Sequence, residues 1–166
     1  NIKPELDKLK VDYSIPDLPG GTHPHSQEWL AIIDKEVKST NKPIILVGHS
    51  LGTRAALLYL DKFEQPVDTV LLIAAFNNDY EAGRKRRDGK YADFFEYPLN
   101  LEKIKKLAKR FIVMHSKDDE SIDYNQGVEI SKELGAELIT YEDRRHFSAP
   151  ENYTYVLDVL KKMLEW

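Results

Sequence analysis

A chain of 166 residues, 42% hydrophobic and 31% charged, is too apolar for disorder and of a length that suits one globular domain, residues 1–166. Its net charge of -4, from 24 Lys+Arg against 28 Asp+Glu, offers no overall basic field to nucleic acid or anionic lipid. The absence of cysteine excludes disulfides, thiolate metal sites and a cysteine nucleophile.

No apolar stretch approaches the roughly 18 residues of a membrane span, and the start NIKPELDKLK lacks a secretory apolar segment. A cytoplasmic location is therefore expected. Pro4–Lys10 reads as the end of a helix without its beginning, so the chain is expected to lack its natural N-terminus. Val11–Ile15 alternates as a short strand and is closed by the Pro/Gly-rich loop PDLPGGTHPHS. His25 or Ser26 can cap a helix whose apolar Trp29, Leu30, Ile32, Ile33 and Val37 recur at helical spacing from Glu28 to Lys38. PIILVG, from Pro43, is short and rich in β-branched residues, as a strand covered on both faces would be. A helix is predicted over Ser50–Phe63 and a buried strand from Val67 to about Ala75.

Residues 77–100 are polar, charged and aromatic without a clear period. A short helix is predicted over Leu101–Lys109, a strand over Arg110–Ser116, a helix over Gln126–Leu134 and a fourth strand over Ala136–Tyr141. Gly135 stands at the C-cap position of the second of these helices. Glu151–Trp166 closes the chain as a helix with Tyr155, Val156, Val159, Leu160 and Met163 on one face. Strands alternating with helices predict an α/β three-layer sandwich with a mainly parallel sheet.

The chemistry concentrates at Gly48-His49-Ser50-Leu51-Gly52. Gly-x-Ser-x-Gly between a strand and a helix is the pattern of a nucleophile elbow: glycines admit a turn too sharp for side chains, and the serine is raised over the carboxyl ends of the strands. A serine hydroxyl is a weak nucleophile and needs a base, which in turn needs an orienting group. In this fold the order is serine, acid, histidine. Two histidines follow Ser50. His115 lies at the end of a strand and reads as a satisfied buried or rim residue, whereas His146, in the loop EDRRHFSAP after the last strand, is free to carry a base over the sheet edge. The acid candidates after the third strand are Asp118, Asp119, Glu120 and Asp123. Asp118 and Asp119 both fit by position.

The elbow, the Asp118-Asp119 pair after FIVMHSK, and His146-Phe147, together with the helix before the elbow and NLEKIKKLAKRFIV, resemble the small α/β-hydrolase-fold serine hydrolases of the retinoblastoma-binding-protein-nine type. The resemblance spans most of the chain. It implies that the second aspartate of the pair, Asp119, is the acid and that His146 is the base, with no cofactor or metal. Glu120 replaces the family's proline after the pair and Arg145 its glycine before the histidine. The family also begins with a strand and a glycine-rich loop that completes the oxyanion hole. That segment, on the order of 30 residues, is expected to be missing, since Asp17-Leu18-Pro19-Gly20 resembles the loop after the next strand. The backbone N–H of Leu51 remains as an oxyanion donor.

The expected activity is hydrolysis of a carboxylic ester or amide in a small acyl substrate through Ser50, His146 and Asp119. Alternatives are a thioesterase or acyltransferase with the same triad, or a binding module with little turnover. No particular protein partner is indicated. His23-Pro24-His25 reads as splayed rather than metal-binding, and GRKRRDGK, Gly83–Lys90, as an exposed loop. Tyr80, Tyr91, Phe94, Phe95 and Tyr97 either overhang Ser50 as a lid or bury their loop against the domain.

Overall fold

Three consecutive crossovers carry the chain through a four-stranded sheet whose neighbours all run parallel, in the order β1-β2-β3-β4. The computed structural model describes residues 2–76 and 85–164. The strands are β1 (Ile45–His49), β2 (Val67–Ile73), β3 (Ala108–Ser116) and β4 (Glu137–Tyr141). Helix α1 (Lys3–Leu9) and α2 (Ser26–Lys38) precede the sheet; α3 (Leu51–Phe63), the short α4 (Leu101–Ile104) and α5 (Tyr124–Leu134) lie between strands; α6 (Tyr153–Leu164) follows β4.

The period of two along each strand divides the core. Val70, Leu72, Phe111 and Val113 join Leu30, Leu57, Leu60, Ile104 and Ile130 from α2 to α5 on one face. Leu71, Ile73, Ile112 and Met114 join Leu6 of α1 and Val156, Leu157, Leu160 and Met163 of α6 on the other. The result is the three-layer α/β sandwich. Covering both faces explains why β2 and β3 read as continuous apolar runs; β1, at the sheet edge among the described residues, leaves Val47 exposed, so the expectation of a strand covered on both faces is corrected there. Among the described residues no helix is long and apolar enough to cross a membrane.

The boundaries move where a tertiary partner intervenes. Helix α2 starts at Ser26, two residues before the predicted position, because the Asp93 carboxylate accepts the Ser26 N–H at 2.7 Å and supplies a cap from a distant loop. Asp123 caps α5 through the N–H of Asn125, so this helix starts at Tyr124 instead of Gln126. At its other end Gly135 takes the left-handed conformation at φ 64°. The helix predicted over Leu101–Lys109 stops at Leu107, since Ala108 already pairs with Val67 of β2. Pro150–Asn152 is a 3-10 turn before α6.

Val11–Ile15 forms no strand. Among the described residues no strand pairs with it, and its side chains bond to helices instead: Tyr13 donates to Asp7 at 2.7 Å and Ser14 to Glu36 at 2.6 Å. An extended segment without a ladder partner gains none of the hydrogen bonds that define a sheet.

The aromatic stretch is partly anchored. Phe94 and Phe95 are fully buried, with Phe94 edge-on to Trp29 at 5.1 Å and Phe95 stacked on Phe76 at 5.6 Å. The Arg54 guanidinium, one turn into α3 and also buried, donates to the carbonyls of Phe94 at 2.7 Å and Tyr97 at 2.8 Å and lies over the Phe95 ring. Burial pushes Arg54 down to about 10, which leaves it charged at neutral pH. These contacts bury the segment against the domain. Tyr80, Gly83 and Arg84 lie outside the described residues.

Candidate active site

Ser50 stands between the last residue of β1 and the first of α3, at φ 53° and ψ -122°. A left-handed φ in a residue with a Cβ is strained by about 1–3 kcal/mol and persists only where the surroundings impose it. Here they do: the Ser50 N–H donates to the Ile73 carbonyl at 2.9 Å, and its own carbonyl accepts from the Thr53 N–H at 2.9 Å and the Thr53 hydroxyl at 2.7 Å. The Leu51 N–H opens α3, where first-turn amides lack intrahelical acceptors and the helix dipole favours negative charge.

The two elbow glycines differ. A Cβ on Gly48 would lie 2.5 Å from the Gly52 carbonyl oxygen, whereas a Cβ on Gly52 would meet nothing within 4 Å among the described residues. The expectation that the turn needs both glycines is thus corrected: Gly48 makes room for the backbone of Gly52, and Gly52 itself has space. Gly48→Ala is expected to lower stability by about 1–3 kcal/mol through overpacking, while Gly52→Ala is expected to stay within about 0.5 kcal/mol of the parent. Urea midpoints at unchanged m-value check both, and equal midpoints for the two variants would contradict this account.

Because the strands are parallel and in register, with His49 opposite Ile73, Ile73 opposite Met114 and Ser116 opposite Tyr141, their carboxyl ends bring three loops together. The loop after β3 carries Asp119 and the loop after β4 carries His146. His146 Nε2 lies 2.9 Å from Ser50 Oγ, and His146 Nδ1 lies 2.9 Å from Asp119 Oδ2 and 3.1 Å from Oδ1. An ionised carboxylate only accepts, so Nδ1 carries the proton and the bare Nε2 accepts from the serine hydroxyl. Asp119 is buried. Burial pushes its carboxyl up, but the bond from His146 and the N–H groups of Ile122 and Ser121, at 2.9 and 2.8 Å, outweigh it and hold the group below its ordinary 3.8.

Asp118, left equal with Asp119 on position alone, points elsewhere. Its Oδ1 accepts from the Ser116 hydroxyl at 2.6 Å and the Arg145 N–H at 2.8 Å, and Ser116 Oγ accepts the Arg144 N–H at 2.8 Å. Asp118 thereby ties the histidine loop to the end of β3. That loop needs ties: Arg145 and Phe147, on either side of His146, have φ of 48° and 56°. Arg145 stands where the family resemblance expects glycine, and its left-handed backbone explains that preference. His49 adds another tie, its Nε2–H donating to the His146 carbonyl at 2.7 Å, as does Asn152, whose amide donates to the Arg144 carbonyl at 3.1 Å.

A serine hydrolase family model matches residues 8–164. The chain belongs to the serine hydrolase family. Serine hydrolase RBBP9 of Rattus norvegicus is 31% identical to it over 136 residues, 82% of this chain and 69% of the relative. YdeN of Bacillus subtilis (strain 168) is 24% identical over 164 residues, covering 96% and 84%. The crystal structure of the ydeN gene product superposes with a TM-score of 0.84 at 23% identity, over 99% of this chain and 89% of that one. The esterase domain of a Rhodothermus marinus protein has a TM-score of 0.62 at 19% identity, over 80% and 65%. These structural likenesses carry the α/β-hydrolase fold.

Within this serine hydrolase, spacing in the sequence offers no signal for Ser116 and Asp118 as supports of the histidine loop, because the Arg144 and Arg145 amides come into reach only through the register of β3 with β4; Asn152 bonds within the segment after β4 itself. His23 sits beside Thr22 Oγ1 at 3.0 Å, and His25 Nδ1 lies 3.7 Å from Asp93. Among the described residues no three His, Cys, Asp or Glu side chains gather to hold a metal ion. His115 is fully buried, and burial pushes its imidazole below the ordinary 6.5. Unfolded, the ring takes a proton near pH 6.5, so below that value the unfolded chain binds more protons and stability falls with pH. The urea midpoint is expected to drop between pH 7.5 and 5.5, and to drop less in His115→Leu; parallel slopes would remove His115 as the cause.

Proposed function

We propose that this serine hydrolase cleaves a carboxylic ester through an acyl-enzyme on Ser50, with His146 as general base and acid and Asp119 as the group that orients it. The observation that carries the reading is the unbroken run of hydrogen bonds from Ser50 Oγ through His146 to Asp119, at an elbow of the required backbone.

In the first half-reaction Ser50 Oγ attacks the acyl carbon while His146 Nε2 takes its proton. The carbonyl oxygen becomes an oxyanion before the Leu51 N–H, where one such donor is worth about 100- to 1,000-fold in rate. The imidazolium, balanced by the ionised Asp119, gives the proton to the departing alkoxide oxygen. Water then enters, loses a proton to His146 Nε2 and attacks the acyl carbon; the ester bond to Ser50 breaks, and the proton returns to Oγ as the acid leaves.

A fluorophosphonate probe tests this chemistry. It is expected to form one covalent adduct, on the peptide that contains Ser50, and to form none in Ser50→Ala. Labelling that survives Ser50→Ala, or a folded parent that never labels, would overturn the reading. Esters of graded acyl length, such as p-nitrophenyl acetate through p-nitrophenyl decanoate, then report the acyl preference.

A further inference from the structure

His115 lies behind the acid loop with no exposed surface, and the mechanism above leaves it unused. Its Nε2 is 3.1 Å from the Ile122 carbonyl oxygen and 3.5 Å from Asp119 Oδ2. A carbonyl only accepts, so Nε2 carries the proton and Nδ1 is bare. Nδ1 is buried and has no hydrogen-bond partner among the described residues. The ring is housed by α5: a Cβ on Gly127 would lie 2.2 Å from Nδ1 and 2.8 Å from Cγ, and the Tyr124 ring stands edge-on at 5.8 Å. A glycine inside a helix is unfavourable relative to alanine; here it is the residue that leaves room for an imidazole.

The bond that His115 makes closes a chain. Ile122 accepts from His115 through its carbonyl and donates through its N–H to Asp119 Oδ1 at 2.9 Å. That oxygen also takes the Ser121 N–H at 2.8 Å, whereas Oδ2 has His146 Nδ1 at 2.9 Å on one side and His115 Nε2 at 3.5 Å on the other. The carboxylate is thus set between two imidazoles, one facing Ser50 and one inside the fold. The turn from Asp119 to Ile122 therefore carries both the bond from His115 and the bonds that hold the Asp119 carboxylate.

We propose that His115 is a positioning residue for the acid, its Nε2–H holding the Ile122 carbonyl, and so the turn that presents Asp119 to His146, from the buried side. The proposal rests on the triad reading, and the scale of the effect is taken from supports behind metal ligands, whose loss typically costs about 10- to 100-fold.

The test compares kcat and KM for p-nitrophenyl acetate, and the rate of fluorophosphonate labelling, in His115→Leu, His115→Gln and His115→Asn. His115→Leu removes the donor and is expected to lower kcat about 10- to 100-fold, with KM unchanged within error. His115→Gln, whose amide reaches the depth of Nε2, is expected to recover most of kcat; His115→Asn, which is too short, is not. In an Asp119→Asn background, His115→Leu is expected to leave kcat unchanged. Wild-type kcat in folded His115→Leu overturns the proposal, as does an equal loss in the Asp119→Asn background, which marks a general packing defect. If His115→Leu does not fold, the Gln and Asn variants decide, and equal kcat in those two overturns the proposal. An Asp119→Asn variant with full kcat overturns the triad reading and this one with it, whereas a large Asp119 effect without a His115 effect removes only this one.

Discussion

Ester turnover is expected to fall about 10⁶-fold in Ser50→Ala, by a comparable factor in His146→Ala, and no further when the two are combined. The reason lies in the 2.9 Å bond between Ser50 Oγ and His146 Nε2. Without the base the hydroxyl keeps its proton, and without the hydroxyl the base has nothing to activate, so either loss removes the same covalent step. The residue of activity is expected to come from the Leu51 N–H and substrate binding, which neither variant touches. The measurement is kcat for p-nitrophenyl acetate at matched concentrations of folded protein, with the parent counted by fluorophosphonate burst. Losses that multiply in the double variant would show two independent contributions, and a Ser50→Ala protein with more than about a hundredth of parental kcat would place the nucleophile elsewhere.

The adjacent aspartates are expected to separate by orders of magnitude. Asp119→Asn is expected to lower kcat about 10⁴-fold. An asparagine amide facing His146 Nδ1 donates where the carboxylate accepted, which drives the proton to Nε2 and leaves no lone pair for Ser50. Asp118→Asn keeps an oxygen that accepts from Ser116 and Arg145, and is expected to hold kcat within about threefold. Asp118→Ala, which drops both bonds, is expected to lower the thermal midpoint by loosening the histidine loop. Stopped-flow or steady-state kcat beside a melting curve for the three proteins decides the assignment; a larger kcat loss in Asp118→Asn than in Asp119→Asn would reverse it.

Asp119 is also a source of pH dependence, with its sign set by the direction of its shift. Asp119 is held below its ordinary 3.8, so its contribution to stability is complete above that value and is lost as pH falls through the lower folded value. His115 acts in the same direction at higher pH, because its proton is taken up more readily by the unfolded chain.

Much of the molecule is legible in the order of its residues, because the signals are local. Apolar runs of four to seven residues became β1, β2 and β3, and amphipathic spacing became α2, α5 and α6. Gly48-His49-Ser50-Leu51-Gly52 announces its own turn, and the order Ser50, acid, His146 follows the direction in which a parallel sheet visits its carboxyl ends. The failures have a common cause. Val11–Ile15 has the alternation of a strand but no described neighbour to pair with, α2 begins early because Asp93 reaches it from 67 residues away, and Gly52 looks as constrained as Gly48 until the backbone is built around it. Asp118 and Asp119 are chemically alike and adjacent, so no periodicity separates them. Their roles diverge through the direction of each side chain at the end of β3, one toward the Arg145 amide and one toward the imidazole. Composition, periodicity and motif act over a few residues and carry the fold class and the elbow that holds Ser50. The bonds of His49 to the His146 carbonyl and of Asp118 to the Arg145 N–H join segments far apart along the chain, and these are set by strand register and packing.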